Sequence, residues 1–100
     1  HHFIIGNEVE FNWRDTDLAK QKVTISTSRS KKNFGSGANV LRHPITALTW
    51  LINELSQNDI TINNKAVVTT GSCTTPIPIK QGDNVVADFG IFGSVSVVIE

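Results

Sequence analysis

Residues 66 to 100 constrain the fold most, because glycine and proline cut them too often for a helix of ordinary length. The β-branched run Ala66-Val67-Val68-Thr69-Thr70 breaks at Gly71-Ser72, and the Pro-punctuated extended segment Thr75-Pro76-Ile77-Pro78-Ile79 follows. A polar turn, Lys80-Gln81-Gly82-Asp83, leads into two strand-like runs, Asn84-Val85-Val86-Ala87-Asp88-Phe89 and Ser94-Val95-Ser96-Val97-Val98-Ile99, separated at Gly90 and Gly93. Short β-branched runs bounded by such breakers read as strands. Everything upstream has to pack against this β-rich block.

The chain upstream contributes one strong strand and one strong helix. Gln21 to Ser28 alternates, with Val23 and Ile25 on one face, which is the period-two pattern of a half-buried strand. Arg29-Ser30-Lys31-Lys32-Asn33 is a polar hairpin turn, and Phe34-Gly35-Ser36-Gly37-Ala38 returns towards the helix. The helix opens at Pro44, whose missing N–H fits the first helical position. Ile45, Leu48, Ile52 and Leu55 form its apolar stripe, broadened by Ala47, Trp50 and Leu51, and Asn58-Asp59 ends it. The spacing predicts that this face packs on a sheet and that Trp50 is core. At the start, Phe3-Ile4-Ile5 reads as a short buried strand ended by Gly6-Asn7. Residues 8 to 17 read as a loop, with a turn of helix from Asp15 to Leu18 and Trp13 as a lid over the core edge.

One hundred residues allow one domain at most, with a modest core. Lys plus Arg and Asp plus Glu stand at nine each, so no global field recruits nucleic acid or an anionic membrane. No apolar run approaches the ~20 residues that span a bilayer. Cys73 is alone, which excludes an intrachain disulfide and favours a reducing, cytoplasmic setting. Methionine is absent, which leads us to expect a fragment or processed product. His1-His2 are read as either native or a tag remnant.

Several patterns could carry chemistry. His1, His2 and His43 lack any zinc-ligand spacing. Glu8 and Glu10 form a Glu-x-Glu pair in charged, loop-like surroundings that suit a solvated face better than a Mg²⁺ site. The Gly35-Ser36-Gly37 triplet lacks the Lys-Ser/Thr of a phosphate loop, so close backbone approach or a positive φ is the better account of it. Cys73 follows a turn but has no histidine near in sequence, which favours an inert thiol. The most site-like feature is the turn Thr70-Gly71-Ser72, where backbone N–H groups flanked by hydroxyls can hold a carboxylate. An ordinary strand-ending turn is the competing account.

At these residues a resemblance enters. It is carried by an ordered series: His43-Pro44 with the helix through Asn53, then Val67-Val68-Thr69-Thr70-Gly71-Ser72, then Pro76-Ile77-Pro78-Ile79 with Gly82-Asp83, then Val86-Ala87-Asp88-Phe89 and Phe92-Gly93-Ser94-Val95-Ser96-Val97. The series resembles the 2-keto-4-pentenoate hydratase family of the fumarylacetoacetate hydrolase superfamily, over residues 34 to 100 closely and 3 to 33 by pattern. That superfamily also includes 2-oxohepta-3-ene-1,7-dioate hydratases and 4-oxalocrotonate decarboxylases.

The resemblance implies a β-rich α+β fold, a mixed, rolled sheet of the superfamily's C-terminal type with the amphipathic helix packed outside. Residues 1–100 would be a single domain or fragment, the C-terminal part of a longer catalytic domain. It implies a hydro-lyase of aromatic catabolism, cytoplasmic and homo-oligomeric, converting 2-hydroxypenta-2,4-dienoate to 4-hydroxy-2-oxopentanoate. The carboxylate and 2-oxo group of a small 2-oxo acid would chelate Mg²⁺ or Mn²⁺, which draws electron density from that oxo group. The acidic ligands and the catalytic lysine lie upstream of the matching segment, so no catalytic or metal-binding residue is assigned here. Ser72, on the turn built by Thr70 and Gly71, matches the hydroxyl that faces the substrate carboxylate. The segment alone would then be inactive. A decarboxylase or C–C hydrolase of the same superfamily, and a non-catalytic β-rich interaction module, are the alternatives.

Overall fold

The computed structural model describes residues 2–29 and 32–100. Ser30 and Lys31 of the expected polar turn, and His1, lie outside the described residues, while Lys32 and Asn33 of that turn belong to a strand instead. The frame is a four-stranded antiparallel sheet in the order β2-β1-β3-β4, with β1 Lys22–Thr27, β2 Lys32–Ser36, β3 Asn84–Asp88 and β4 Ser94–Val98. All its pairings are antiparallel, and β2 and β4 are unpaired with each other at the two edges. An α+β architecture is therefore present, but the mixed parallel and antiparallel sheet expected from the sequence is not found among the described residues.

Alternation explains which side of the sheet is apolar. Register sets Ile25 opposite Ala87, Thr27 opposite Val85, Val85 opposite Val97 and Ala87 opposite Val95, so these residues share one face. The other face carries Thr24, Ser26, Asp88, Ser94 and Ser96 among its pairs. β3 and β4 are joined by a 3₁₀ turn, Gly90–Phe92, in which Gly90 and Gly93 hold φ of 64° and 93°. Those values lie in the left-handed region that glycine enters without a Cβ penalty.

The helix α1, Pro44–Gln57, begins and ends by local chemistry legible in the sequence. Pro44 is the first helical residue, and the preceding His43 caps the helix by accepting the Ile45 N–H at Nδ1, 3.1 Å away. At the other end Ile60 N–H donates to the Leu55 carbonyl and Asp59 N–H to that of Ser56, with Asp59 at φ 57°. That pair of bonds is a Schellman motif with an aspartate in the left-handed position.

Three expectations about packing are corrected. α1 is not packed face-on to the sheet, since extensive element-to-element contact is confined to neighbouring strands. Ala47, Leu48, Leu51 and Leu55 are half-buried, whereas Ile45 and Ile52 are exposed, and Trp50 is 62% exposed rather than core. Phe3-Ile4-Ile5 forms no strand and all three side chains are exposed, although Ile4 lines a shallow groove on the apolar sheet face with Ile25, Val85 and Ala87. The run 66–70 also forms no strand. A β-branched segment becomes a strand only when another supplies hydrogen-bond partners, and neither segment has one here. The helical turn expected from Asp15 to Leu18 is displaced to a 3₁₀ turn at Trp13–Asp15, with Trp13 half-buried and the Arg14 guanidinium 4.5 Å from its ring centre.

Candidate carboxylate-binding turn

The turn Thr70-Gly71-Ser72 lies outside helix and strand, so its shape has to come from what grips it. Gly71 holds φ 120°, a conformation open to glycine and costly for other residues. A Cβ there would stand 3.7 Å from Cγ1 of Val40, which is buried. Thr70 is half-buried, and Gly71 and Ser72 are exposed. Among the described residues, neither the two hydroxyls nor the Gly71 and Ser72 N–H groups donate a hydrogen bond to protein. These donors on one turn are therefore without a protein acceptor among the described residues.

Just downstream the chain is pinned against β2. Asn39 Nδ2 donates to the Cys73 carbonyl at 2.6 Å. A Cβ on Gly35 would overlap that same carbonyl, so backbone meets backbone here. Asn33 Nδ2 donates to the Thr75 carbonyl at 3.1 Å and to Thr75 Oγ1 at 3.0 Å. Gly37 is pressed equally closely on the Leu18 carbonyl. Of the two accounts open for the Gly-x-Gly triplet, close backbone approach holds and positive φ does not. Burial pushes the half-buried Cys73 thiol upward in pKa, which keeps it protonated and a poor nucleophile.

A second anchor was invisible in the sequence. Arg29 grips Asp83 with two parallel bonds, Nε to Oδ1 and Nη2 to Oδ2, each 2.8 Å. The Lys80 N–H donates to Asp83 Oδ2 at 2.8 Å, and Asp83 is 4% exposed. The Arg29 hydrogen bonds, then that of Lys80, draw the Asp83 carboxyl down to about 2. Arg29 and Asp83 each read locally as turn residues, and nothing in either turn announces the other.

The described residues do not suit a divalent cation. No three His, Cys, Asp or Glu side chains among them come together. Several carboxylates already have partners: Asp83 with Arg29, Asp17 with Ala19 N–H, and Asp88 with Gly90 N–H. Glu8 and Glu10 are exposed beside Phe11 and Phe92 on an open groove, as a solvated face would be.

No protein-family model matches the chain. It is 37% identical over 90 residues to a 2-oxo-hept-4-ene-1,7-dioate hydratase of Escherichia coli, covering 90% of this chain and 31% of that protein. It is 31% identical over 94 residues to a 4-oxalocrotonate decarboxylase of Pseudomonas putida, covering 94% of this chain and 35% of the relative. Among solved structures, it superposes on the 4-oxalocrotonate decarboxylase of Pseudomonas putida G7 complexed with calcium and acetate. The TM-score there is 0.78 at 28% identity, over 87% of this chain and 34% of that one. The same enzyme complexed with magnesium and adipate gives 0.78 at 29% identity, covering 33% of that chain. The chain therefore spans about a third of the length of the curated relatives it matches. The resemblance to hydratases and decarboxylases of the superfamily, read from the ordered series, is borne out.

Proposed function

We propose that the polypeptide carrying these residues is a divalent-metal-dependent lyase that adds water to a 2-hydroxy-2,4-dienoate, and that residues 1–100 are the C-terminal part of its catalytic domain. The observation that carries this reading is the likeness over nine-tenths of the chain to enzymes named for 2-oxo acids. Structural neighbours complexed with a divalent cation and a carboxylate support it. The contribution of this segment is a scaffold and a donor turn. Ser72 Oγ and the Gly71 and Ser72 N–H groups hold the substrate carboxylate, with Thr70 and Gly71 shaping the turn. Mg²⁺ or Mn²⁺ would be held by residues outside this segment, because the carboxylates here do not converge.

Two features refine the proposal. The relatives' names specify dicarboxylates, which widens the candidate substrates from 2-hydroxypenta-2,4-dienoate to its longer dicarboxylate analogues. No helix among the described residues is long and apolar enough to cross a membrane. We place the enzyme in the cytoplasm, in keeping with the lone thiol of this segment, and as a homo-oligomer, as the resemblance implies.

The second reading is decarboxylation of a 2-oxo dicarboxylate, favoured by the decarboxylases among the relatives and neighbours. One preparation separates the two. The polypeptide as its source expresses it is weighed intact, then supplied with Mg²⁺ and either 2-hydroxypenta-2,4-dienoate or 4-oxalocrotonate. Loss of dienoate absorbance without CO₂ release is the hydratase outcome, and CO₂ release from the dicarboxylate is the decarboxylase outcome. A folded chain with a mass near 10.9 kDa that does neither would leave the non-catalytic β-rich module in possession.

A further inference from the structure

The geometry points to Asn39 as a positioning residue for the carboxylate-binding turn, an inference that rests on the function proposed above. A turn outside helix and strand keeps its donors aimed only if neighbouring groups fix its backbone. Here the fixing groups are adjacent in sequence. Val40 lies beneath Gly71, and the Asn39 amide holds the Cys73 carbonyl at 2.6 Å, one residue past Ser72. Cys73 cannot retreat towards β2, because the Gly35 backbone already abuts its carbonyl.

Asn39 is itself held in place. It ends the 3₁₀ turn Gly37–Asn39, whose Gly37 N–H donates to the Gln21 carbonyl at 3.0 Å and whose Ala38 N–H donates to that of Ala19 at 2.9 Å. Three backbone passes, 18–21, 37–40 and 70–73, are thereby stacked on one another. Among the described residues, the hydrogen-bonded link from the second pass to the third runs through the Asn39 amide. Asn39 is exposed, so the amide is not there to fill a core. Its donor goes to the carbonyl one residue past Ser72.

The test uses the full-length enzyme with Mg²⁺ and its dienoate substrate. Ser72→Ala tests the reading itself, and should raise KM about tenfold if a hydrogen bond to the substrate carboxylate is lost. Asn39→Ala should also raise KM, by about fivefold or more, with kcat changed less than twofold and an unaltered thermal midpoint. Asn39→Asp keeps the shape, loses the donor and sets a carboxylate against a carbonyl, so it should do at least as much harm. The double variant should raise KM by less than the product of the two single effects, because the Ser72 hydroxyl is one of the donors that Asn39 positions, the backbone N–H groups being the others.

Each contrary result overturns something definite. If Ser72→Ala leaves KM unchanged, the carboxylate-turn reading falls and the role of Asn39 falls with it. If Ser72→Ala raises KM while Asn39→Asp behaves as wild type, the turn stands and the positioning role is wrong. If the two substitutions simply add, Asn39 acts independently of Ser72, which also overturns the inference.

Discussion

Asp83 is the residue whose charge is most closely specified by its surroundings. Its side chain is 5% exposed against 36% for Arg29, so the guanidinium faces solvent while the carboxylate lies beneath it. A carboxylate so placed without the Arg29 fork and the Lys80 N–H would be costly, which makes the three one unit. Its ordinary value of 3.8 falls to about 2 in the fold. A depressed carboxylate stabilises the folded state at every pH above its unfolded value, and that stabilisation disappears as pH falls through the folded one. Urea midpoints should therefore drop between about pH 4 and pH 2. Asp83→Asn should lower the midpoint at neutral pH and flatten that acid limb, whereas an unchanged limb would mean that other groups govern it. Gly35 makes a second prediction at this scale. Gly35→Ala drives a methyl into the Cys73 carbonyl, and backbone cannot swing aside as a side chain can. A loss of about 1–3 kcal/mol in denaturant unfolding is expected, as for other overpacked sites.

Elements whose cause is local were legible in the sequence, and those whose cause is a neighbour were not. β1, β3 and β4 follow from alternation and flanking breakers, and the start of α1 follows from Pro44. The apolar stripe of α1 states what the helix can bury, not what is present to bury it. Leu48 and Leu55 found partial cover, while Ile45, Ile52 and Trp50 did not. Residues 66–70 have strand composition and no strand to join. The candidate turn was legible at Gly71, where the β-branched run has to break. The groups that hold it, Asn39, Gly35 and Val40, come from 31 to 38 residues away in the chain: Gly35 was marked as a place of close approach but not its partner, and Asn39 and Val40 had no mark upon them. The helix terminus offers its own test. Asp59 holds φ 57° to complete the Schellman motif, a conformation that glycine enters without a Cβ penalty. Asp59→Gly should therefore stabilise by about 0.5–1 kcal/mol, read from the unfolding midpoint. Destabilisation would mean that the aspartate side chain contributes something beyond the turn.

At the scale of the whole molecule, the surface is too large for the mass. The chain exposes 7905 Å², where a compact protein of 10.9 kDa exposes about 5,600 Å². Its radius of gyration is 15.1 Å, against about 13 Å for a compact domain of this length. Buried apolar side chains among the described residues are Val23, Val40 and Val85, while Phe3, Ile5, Phe34, Trp50 and Ile91 are each more than 60% exposed. An excess of about 2,000 Å² is the size of an obligate interface, with its apolar character. Residues 1–100 expressed alone should therefore behave as a loosely packed chain. They should bind a hydrophobic dye at neutral pH, unfold over a broad range of urea and show rapid amide exchange in α1, which has no sheet behind it. The polypeptide of the length its relatives have should show none of this, and exchange in α1 should slow by orders of magnitude as its exposed side chains gain cover. A sharp, dye-free transition of the isolated segment would instead mean that a few valines and the Arg29–Asp83 clamp are enough. In that case the exposed side chains would have to be explained by a separate partner, not by the fold of one longer chain.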